Sequence, residues 1–469
     1  MTARSDITLV FWLTLLCLGT LMATYGPFLS DPFVRHDDFP ALLGHFDMAY
    51  SKALDEGRWL NFWWQFRPFL WPAPVNFALY LLGWSIFSAC TAIIVLGRSM
   101  PAWFLCVMAL FVALSRPAFL ISFWFNTLLP GIWVLALFSL AVVFLSHRAS
   151  VLLLIVAVPL SFMAYTTYPF MMLSLVLLSR KAPQTYVSAG VTLVVFFASL
   201  ALAFGVVYSL NFLHHGVFDI PVAEWRDPTE VKSISDLALN YQKLKLHLYE
   251  NLHRVGSGSL SNGVFLVSLF AVSWLYLFRR QRYVATIVLV AVLAGCGPLF
   301  AKTLTSGLKV PFRALGWNWI LFGYTLTMSV FILTSTSTRL ASVARIVIMC
   351  VLLIATIQFG RITYGTFPLW QKTTRALADE IPDGMNRVQL YGSYYGLEGA
   401  RETFIQFDRG LRLRLEYLTG AEVVSCDTTP DECTDATPPF DPLGWTHTSL
   451  VETDGTVAFV LLPSPPVGP

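Results

Sequence analysis

Apolar runs long enough to cross a bilayer recur along most of this chain, and no other feature narrows its fold so far. In order they lie near 7–29, 75–96, 102–125, 129–146, 151–164, 168–178, 186–210, 262–278, 283–300, 316–334 and 346–360. At roughly 17–25 residues per span this predicts about eleven crossings, and 151–164 and 168–178 are too short to cross in the ordinary way. Only 13% of the residues are charged and mean hydropathy is +0.64, whereas soluble domains are about a quarter charged. The chain therefore reads as an all-α polytopic membrane protein. Its net charge of +3 is small, and no nucleic-acid partner is expected.

The placement of basic residues predicts an orientation. Alternate connections carry Arg98, then His147 and Arg148, Arg180 and Lys181, Arg279, Arg280 and Arg282, and Arg339 and Arg345. None of these connections holds an Asp or Glu. With Arg4 they define a cytoplasmic face and put residues 361–469 outside. Ile7–Ala23 is longer than a usual signal-peptide core, so the first run is read as a retained span.

Five of the seven cysteines (Cys17, Cys90, Cys106, Cys296, Cys350) fall in the apolar runs, as small buried hydrophobes do. Cys426 and Cys433 lie close together in the polar C-terminal region, where an oxidising compartment allows a disulfide. No further Cys or suitably spaced His accompanies them to suggest a metal site.

Residues 1–360 form the expected membrane domain and 361–469 a small outer α/β domain. Within the first, the loop 30–74 contains Leu42, Leu43, Phe46, Ala49, Tyr50, Ala53 and Leu54 at helical spacing, which predicts an amphipathic helix lying on the membrane. Trp59, Phe62, Trp63, Trp64, Phe66, Phe69 and Trp71 follow, suited to the interface. The second outer loop, 211–262, carries a helical stretch from Ser235 to Arg254. In the C-terminal part VQLYGS and VAFVLLPS read as strands, with a helix over WQKTTRALADEI.

Carboxylates are confined to few places. None occurs from Gly57 to Phe218 or from Asn251 to Ala378, and Asp6 is the one acid near the inner face. Chemistry that needs a carboxylate must use the outer side. Asp37 and Asp38, in FVRHDDFP, stand a few residues past the first span, where two adjacent anions are costly without a cation or a proton. Either is a candidate base. The bland alternative is a wet loop in which Asp38 caps a helix from Ala41 onward. Asp31 is a weaker candidate, and Asp55 and Glu56 read as solvated.

Outer cations suited to a lipid phosphate are Arg58, Arg67, Lys302, Lys309 and Arg313, with His214 and His215 behind them. Arg116, in SRP, interrupts a span and is either functional or snorkelling. The short runs around AYTTYPF suggest helices that stop inside the bilayer, tolerated where they line a cavity. There is no HExxH, no GxSxG and no phosphate-cradling glycine loop.

An acidic pair after the first span, followed by Gly-Arg at Gly57–Arg58 in DEGRWL, resembles the multi-span glycosyltransferases of the GT-C fold. Within them it is most similar to the O-antigen-modifying (serotype-converting) type II glucosyltransferases, although GRW stands here where members often show GRP. The resemblance implies a bacterial inner-membrane enzyme with a periplasmic C-terminal domain. It also implies an undecaprenyl-phosphate sugar donor, glucose above all, and a glycan acceptor on a lipid carrier. Asp37 or Asp38 would be the base, and no cofactor would be needed, a divalent metal being the lesser alternative. The phosphate partners are drawn from the outer cations Arg58, Arg67, Arg116, Lys309 and Arg313, of which Arg58 alone falls in the matched motif, the basic loop near Arg313 showing no pattern of the family.

Two other classes share the lipid-linked chemistry. A flippase or transporter of a lipid-linked glycan would carry ionisable groups through to the inner side, where this chain has almost none. An O-antigen polymerase or ligase would rely on Arg and His in large outer loops, here 211–262.

Overall fold

The computed structural model describes residues 3–401, 403, 408–433, 438–442, 444, 446 and 448–464. Each apolar run is helical. The helices are Ala3–Tyr25, Ala73–Leu96, Ala102–Ala113, Phe125–Phe144, His147–Phe162, Tyr168–Leu178, Tyr186–His215, Leu260–Arg280, Arg282–Ser306, Gly316–Thr336 and Thr338–Arg361. Eight stretches among the described residues are long and apolar enough to cross a membrane. That is fewer than the sequence suggests, for two reasons. Residues 102–144 form one apolar stretch, and the 16-residue and 11-residue helices at His147 and Tyr168 are short. Eleven residues at 1.5 Å each reach only about 17 Å of a core about 30 Å thick.

The helix breaks are where the first loop docks. Helix Ala102–Ala113 ends at Leu114, and Ser115 caps the next short helix by accepting from the Ala118 amide at 3.3 Å. The turn at 122–124 offers its Phe123 carbonyl to the Arg35 amide at 3.3 Å. The break at 163–167 offers the Met163 carbonyl to the Leu60 amide (3.2 Å) and the Ala164 carbonyl to Asn61 Nδ2 (2.9 Å). Carbonyls left open by the broken helices are thus satisfied by the loop, as buried backbone requires.

The loop itself is not one long amphipathic helix. It forms three pieces, Pro40–Leu43, Phe46–Glu56 and Trp59–Gln65. Gly44 (φ 76) and Gly57 (φ 70) terminate the first two in the left-handed region, which glycine enters without a Cβ penalty. At Gly57 a Cβ would also stand 3.0 Å from Val207 Cγ1. Trp59 is fully buried, and its indole N–H donates to Asn211 Oδ1 at 2.8 Å.

In the second loop the helix runs from Ile234 to Val255. Ser233 Oγ accepts from the Asp236 amide (3.3 Å), and Asp236 Oδ2 accepts from the Lys232 amide (3.0 Å).

The C-terminal part is a mixed sheet of β1 (Arg387–Tyr391), β2 (Glu422–Ser425), β3 (Leu450–Asp454) and β4 (Val457–Leu461), in the order β2-β1-β4-β3. The β1–β2 and β1–β4 pairs are parallel and β3–β4 is antiparallel. Helix Phe367–Asp379 leads into β1, and helix Asp408–Thr419 makes the crossover to β2. Cys426 and Cys433 are bonded to each other, with Cα atoms 5.8 Å apart.

This unit clasps the first loop. Arg414, 2% exposed, forks onto Asp31 at 2.8 and 2.6 Å, and Arg375 adds a contact at 3.1 Å. Burial works against the Asp31 anion, but the two guanidiniums outweigh it and hold the carboxyl below its ordinary value. Gln371 Nε2 donates to the Asp31 and Pro32 carbonyls, Glu416 meets His45 at 2.8 Å, and the Ala73 amide donates to the Tyr417 hydroxyl.

Arg414→Met leaves Asp31 with the half-exposed Arg375 alone. Breaking an inward-facing pair costs about 3–5 kcal/mol, so a clear drop in the detergent unfolding temperature is expected. Arg375→Met should cost no more than about 1 kcal/mol, because a solvated pair contributes little.

Candidate functional site

Asp37 and Asp38 are neighbours in sequence with opposite surroundings. Asp38 is fully buried. Its Oδ2 accepts from the Asn126 amide (3.0 Å) and from Asn126 Nδ2 (2.8 Å), and its Oδ1 accepts from the Thr127 amide (2.6 Å). These amides are two of the unpaired donors at the start of helix Phe125–Phe144, so Asp38 caps that helix from 88 residues away. The local helix from Pro40, by contrast, has no side-chain cap. The bonds continue inward, since Asn76 Nδ2 donates to Asn126 Oδ1 at 3.0 Å. Burial pushes the Asp38 carboxyl up to about 6, although the Thr127 and Asn126 donors favour its anion.

Asp37 faces a cavity instead. Its side chain is 23% exposed; Oδ2 meets Lys52 Nζ at 2.9 Å, and Oδ1 accepts from the Trp124 indole N–H at 2.5 Å. Burial works against its charge, but Lys52, His36 and the two donors outweigh burial and hold the carboxyl well below the usual carboxylate range. Asp37 is therefore an anion throughout the neutral range.

Cations ring this carboxylate. The Trp124 indole carries Arg313 at 4.2 Å and Arg35 at 5.7 Å from its centroid. Burial pushes the Arg35 guanidinium down to about 10, with Asp37 opposing and Arg313 adding to the shift. Arg58 sits 5.5 Å over the Tyr165 ring and meets Glu56 Oε2 at 2.5 Å; Arg226 contacts the other oxygen of Glu56. Glu56 is thus no solvated surface acid. Burial opposes its charge, and Arg58, Lys52 and Arg226 hold it below its ordinary value. Helix spacing brings Lys52 and Glu56 to one face at i, i+4, and left-handed Gly57 turns Arg58 back toward Glu56.

The cavity at Asp37 measures about 20 Å³ and is lined by Lys52, Arg58, Asn61, Gln65 and Thr127. That is room for about one water, so a sugar ring enters only if the loop shifts. Asn61 and Gln65 are each 3% exposed, and Asn61 Oδ1 and Gln65 Oε1 are buried acceptors without a partner among the described residues. Asn61 Nδ2 is committed to the Ala164 carbonyl, which aims Oδ1 away from it. A hydroxyl-rich ligand would satisfy both acceptors. A shared divalent cation fits poorly, because all three Asp38 contacts are N–H donors aimed at its lone pairs.

The cations named from sequence divide. Arg58 and Arg313 reach the surroundings of Asp37. Arg67 instead ties the loop together, donating to the Trp64 and Ala41 carbonyls at 2.9 and 2.5 Å. Lys309 is paired with Glu250, and Arg116 has no hydrogen bond or ion pair among the described residues. His214 and His215 pack on Trp59 and Tyr50. Sequence reasoning missed Trp124, Arg35, Asn61 and Gln65. Only Lys52 and Glu56 carried a readable signal, their helical spacing.

Asp38→Ala strands buried N–H donors, each worth about 1–3 kcal/mol, and should lower the unfolding temperature sharply. Asp37→Asn keeps an acceptor for the Trp124 indole but removes the anion that Lys52 and His36 stabilise, so it should lower the unfolding temperature at neutral pH, and the difference from wild type should shrink as the medium is acidified below the ordinary carboxylate range. Because the Asp38 carboxyl lies above its unfolded value, the folded state holds an extra proton between about pH 4 and 6. Its contribution to stability therefore falls as pH rises through that window, and Asp38→Asn should remove this slope from the melting curves. Set against known proteins, the chain matches no family model, no curated protein and no solved structure.

Proposed function

We propose that this chain is a GT-C-type membrane glycosyltransferase that moves a sugar from a polyprenyl phosphate to a glycan acceptor, with Asp37 as the base. The observation that carries the reading is Asp37 itself: an ionised carboxylate at the edge of a cavity, among Lys52, Arg58, Arg35 and Arg313. Unpaired amide oxygens of Asn61 and Gln65 beside it suit sugar hydroxyls. In this reading the chain crosses a bacterial inner membrane about eleven times. Its C-terminal domain is periplasmic, the donor is undecaprenyl-phosphate glucose, and the acceptor is a lipid-linked O-antigen glycan, as the resemblance implies.

The chemistry is a single displacement with inversion. The acceptor oxygen forms a bond to the anomeric carbon as its proton passes to Asp37. The bond from that carbon to the phosphate oxygen breaks, and polyprenyl phosphate leaves with the electron pair. Arg313 and Arg58 would oppose the charge that develops on the leaving group. For the hydroxyl to reach Asp37 Oδ2, it must displace Lys52 Nζ. Loss of that cation raises the basicity of the carboxylate at the moment a base is needed. Asp38 supplies no chemistry and fixes the position of its neighbour.

In proteoliposomes, Asp37→Asn should lower transfer from a labelled polyprenyl-phosphate sugar by about 10²–10⁴-fold, the usual worth of a general base. Because Asp37 stays ionised, the wild-type rate should show no acid limb from this group above about pH 5. Wild-type transfer by Asp37→Asn would overturn the assignment.

A further inference from the structure

Helix Ile234–Val255, in the second outer loop, has the polarity of a helix that does not face water. Much of its polar side is turned toward the protein. Asn240 is buried, and its Nδ2 donates to the Thr229 and Leu304 carbonyls at 2.8 and 3.0 Å. Lys243 donates to Asp227 Oδ2 (3.2 Å) and Thr229 Oγ1 (2.8 Å), and Glu250 pairs with Lys309. The apolar residues point away. Ile234, Leu237, Tyr241 and Leu248 recur at helical spacing and are exposed, as are Leu246 and Tyr249 beside them. Lys245 stands among them with its ammonium 5.1 Å from the Tyr241 ring centroid. An apolar face of this extent marks a contact with a membrane or another protein.

The place of the helix in the fold says which. Helices Leu260–Arg280 and Arg282–Ser306 meet at Gln281, so Leu260 and Ser306 mark the same far end of two spanning segments. The chain entering the surface helix is bonded at that end: the Thr229 amide donates to the Ser306 carbonyl (2.8 Å) and the Val231 amide to the Thr305 carbonyl (3.2 Å). Its last turns rest on the start of helix Leu260–Arg280, where a Cβ at Gly263 would overlap the Leu252 carbonyl oxygen. The 22-residue helix, about 33 Å long, therefore lies across the ends of two spans, at the depth of a membrane surface. Its apolar side also runs on into lipid. Leu248, Leu252 and Val255 line a cavity of about 310 Å³ with Val267, alongside Asn251 and Asn318. Val267 is exposed on helix Leu260–Arg280, of whose apolar window only 11% is buried, as a lipid-facing span requires.

We propose that helix Ile234–Val255 lies in the membrane interface on the side of the first loop, with a phospholipid surface as its partner. Leucines that reach the acyl chains, tyrosines at the boundary and a lysine long enough to snorkel match that layer. A protein partner would have to cover a face that continues without a break into the lipid-facing side of a span. The contact bears on the candidate site, because Arg226, in the connection leading to this helix, pairs with Glu56. It does not depend on which reaction the protein performs.

The test uses the full chain in liposomes of phosphatidylethanolamine and phosphatidylglycerol. Tyr241 and Tyr249 are 53% and 54% exposed in the protein alone, and Tyr395, on the C-terminal unit, is 44% exposed. In liposomes the order should invert, with hydroxyl radicals oxidising Tyr241 and Tyr249 about tenfold less than Tyr395, because the interface shields them from water. A phospholipid carrying a diazirine at the top of its acyl chain should label peptides within 234–249. Tyr241→Asp with Leu246→Asp charges the face without touching the polar contacts. It should cut that label about threefold or more while label within 264–272, the check on folding, stays as in wild type. Oxidation of both tyrosines at the rate of Tyr395 places the face in water and overturns the proposal. Protection without lipid label means that protein covers the face, a second copy included, and overturns it equally. Undiminished label in the folded double variant does the same.

Discussion

The cap that Asp38 places on helix Phe125–Phe144 is the contact on which the rest of the candidate site depends. A carboxylate with no exposure, holding two backbone amides and an Asn side chain, pins the loop to the helix bundle at one point. Asp37 is one residue away, so its position follows from that anchor. The same turn brings Trp124, immediately before the capped helix, within reach of Asp37. One acid thus builds the scaffold that holds the other at the edge of the cavity. The Asp31–Arg414 fork does similar work from the C-terminal side, holding the loop's entry against helix Asp408–Thr419.

The site lies where helices break. A continuous helix satisfies its own backbone and has nothing to offer a loop, whereas the interruptions at 114–115, 122–124 and 163–167 leave groups open. Arg35, Leu60 and Asn61 take up three of them, and this docking carries Arg58 over Tyr165 and puts Asn61 beside Asp37. Two short helices and a divided apolar stretch are therefore part of the construction of the site. Lys52 and His36 beside Asp37 keep its carboxylate charged in spite of burial.

Much of the fold was legible in the sequence, for a physical reason. Lipid demands long apolar runs, so helices announce themselves by length, and each run identified there is helical. The acidic pair stood out because carboxylates are scarce elsewhere in the apolar chain. What could not be read was which of the two acids does what. Asp38 lay within reach of a local capping role, but its true partners, Asn126 and Thr127, are set by tertiary packing. Trp124 and Asp37 meet across 87 residues, and no spacing rule spans that distance. The C-terminal sheet was half visible. β1 and β4 are apolar and were identified, whereas edge strand β3 is mostly exposed and polar, and β2 has only four residues.

The proposed reaction has a sugar leaving a polyprenyl phosphate at Asp37, and the most direct measurement follows the donor itself. Purified wild-type protein in liposomes would be given undecaprenyl-phosphate glucose labelled in the sugar, with and without a lipid-linked glycan. The expected result is free undecaprenyl phosphate appearing together with labelled glycan, and only when the acceptor is present. Intact donor recovered from the far leaflet, or no consumption at all, would contradict it.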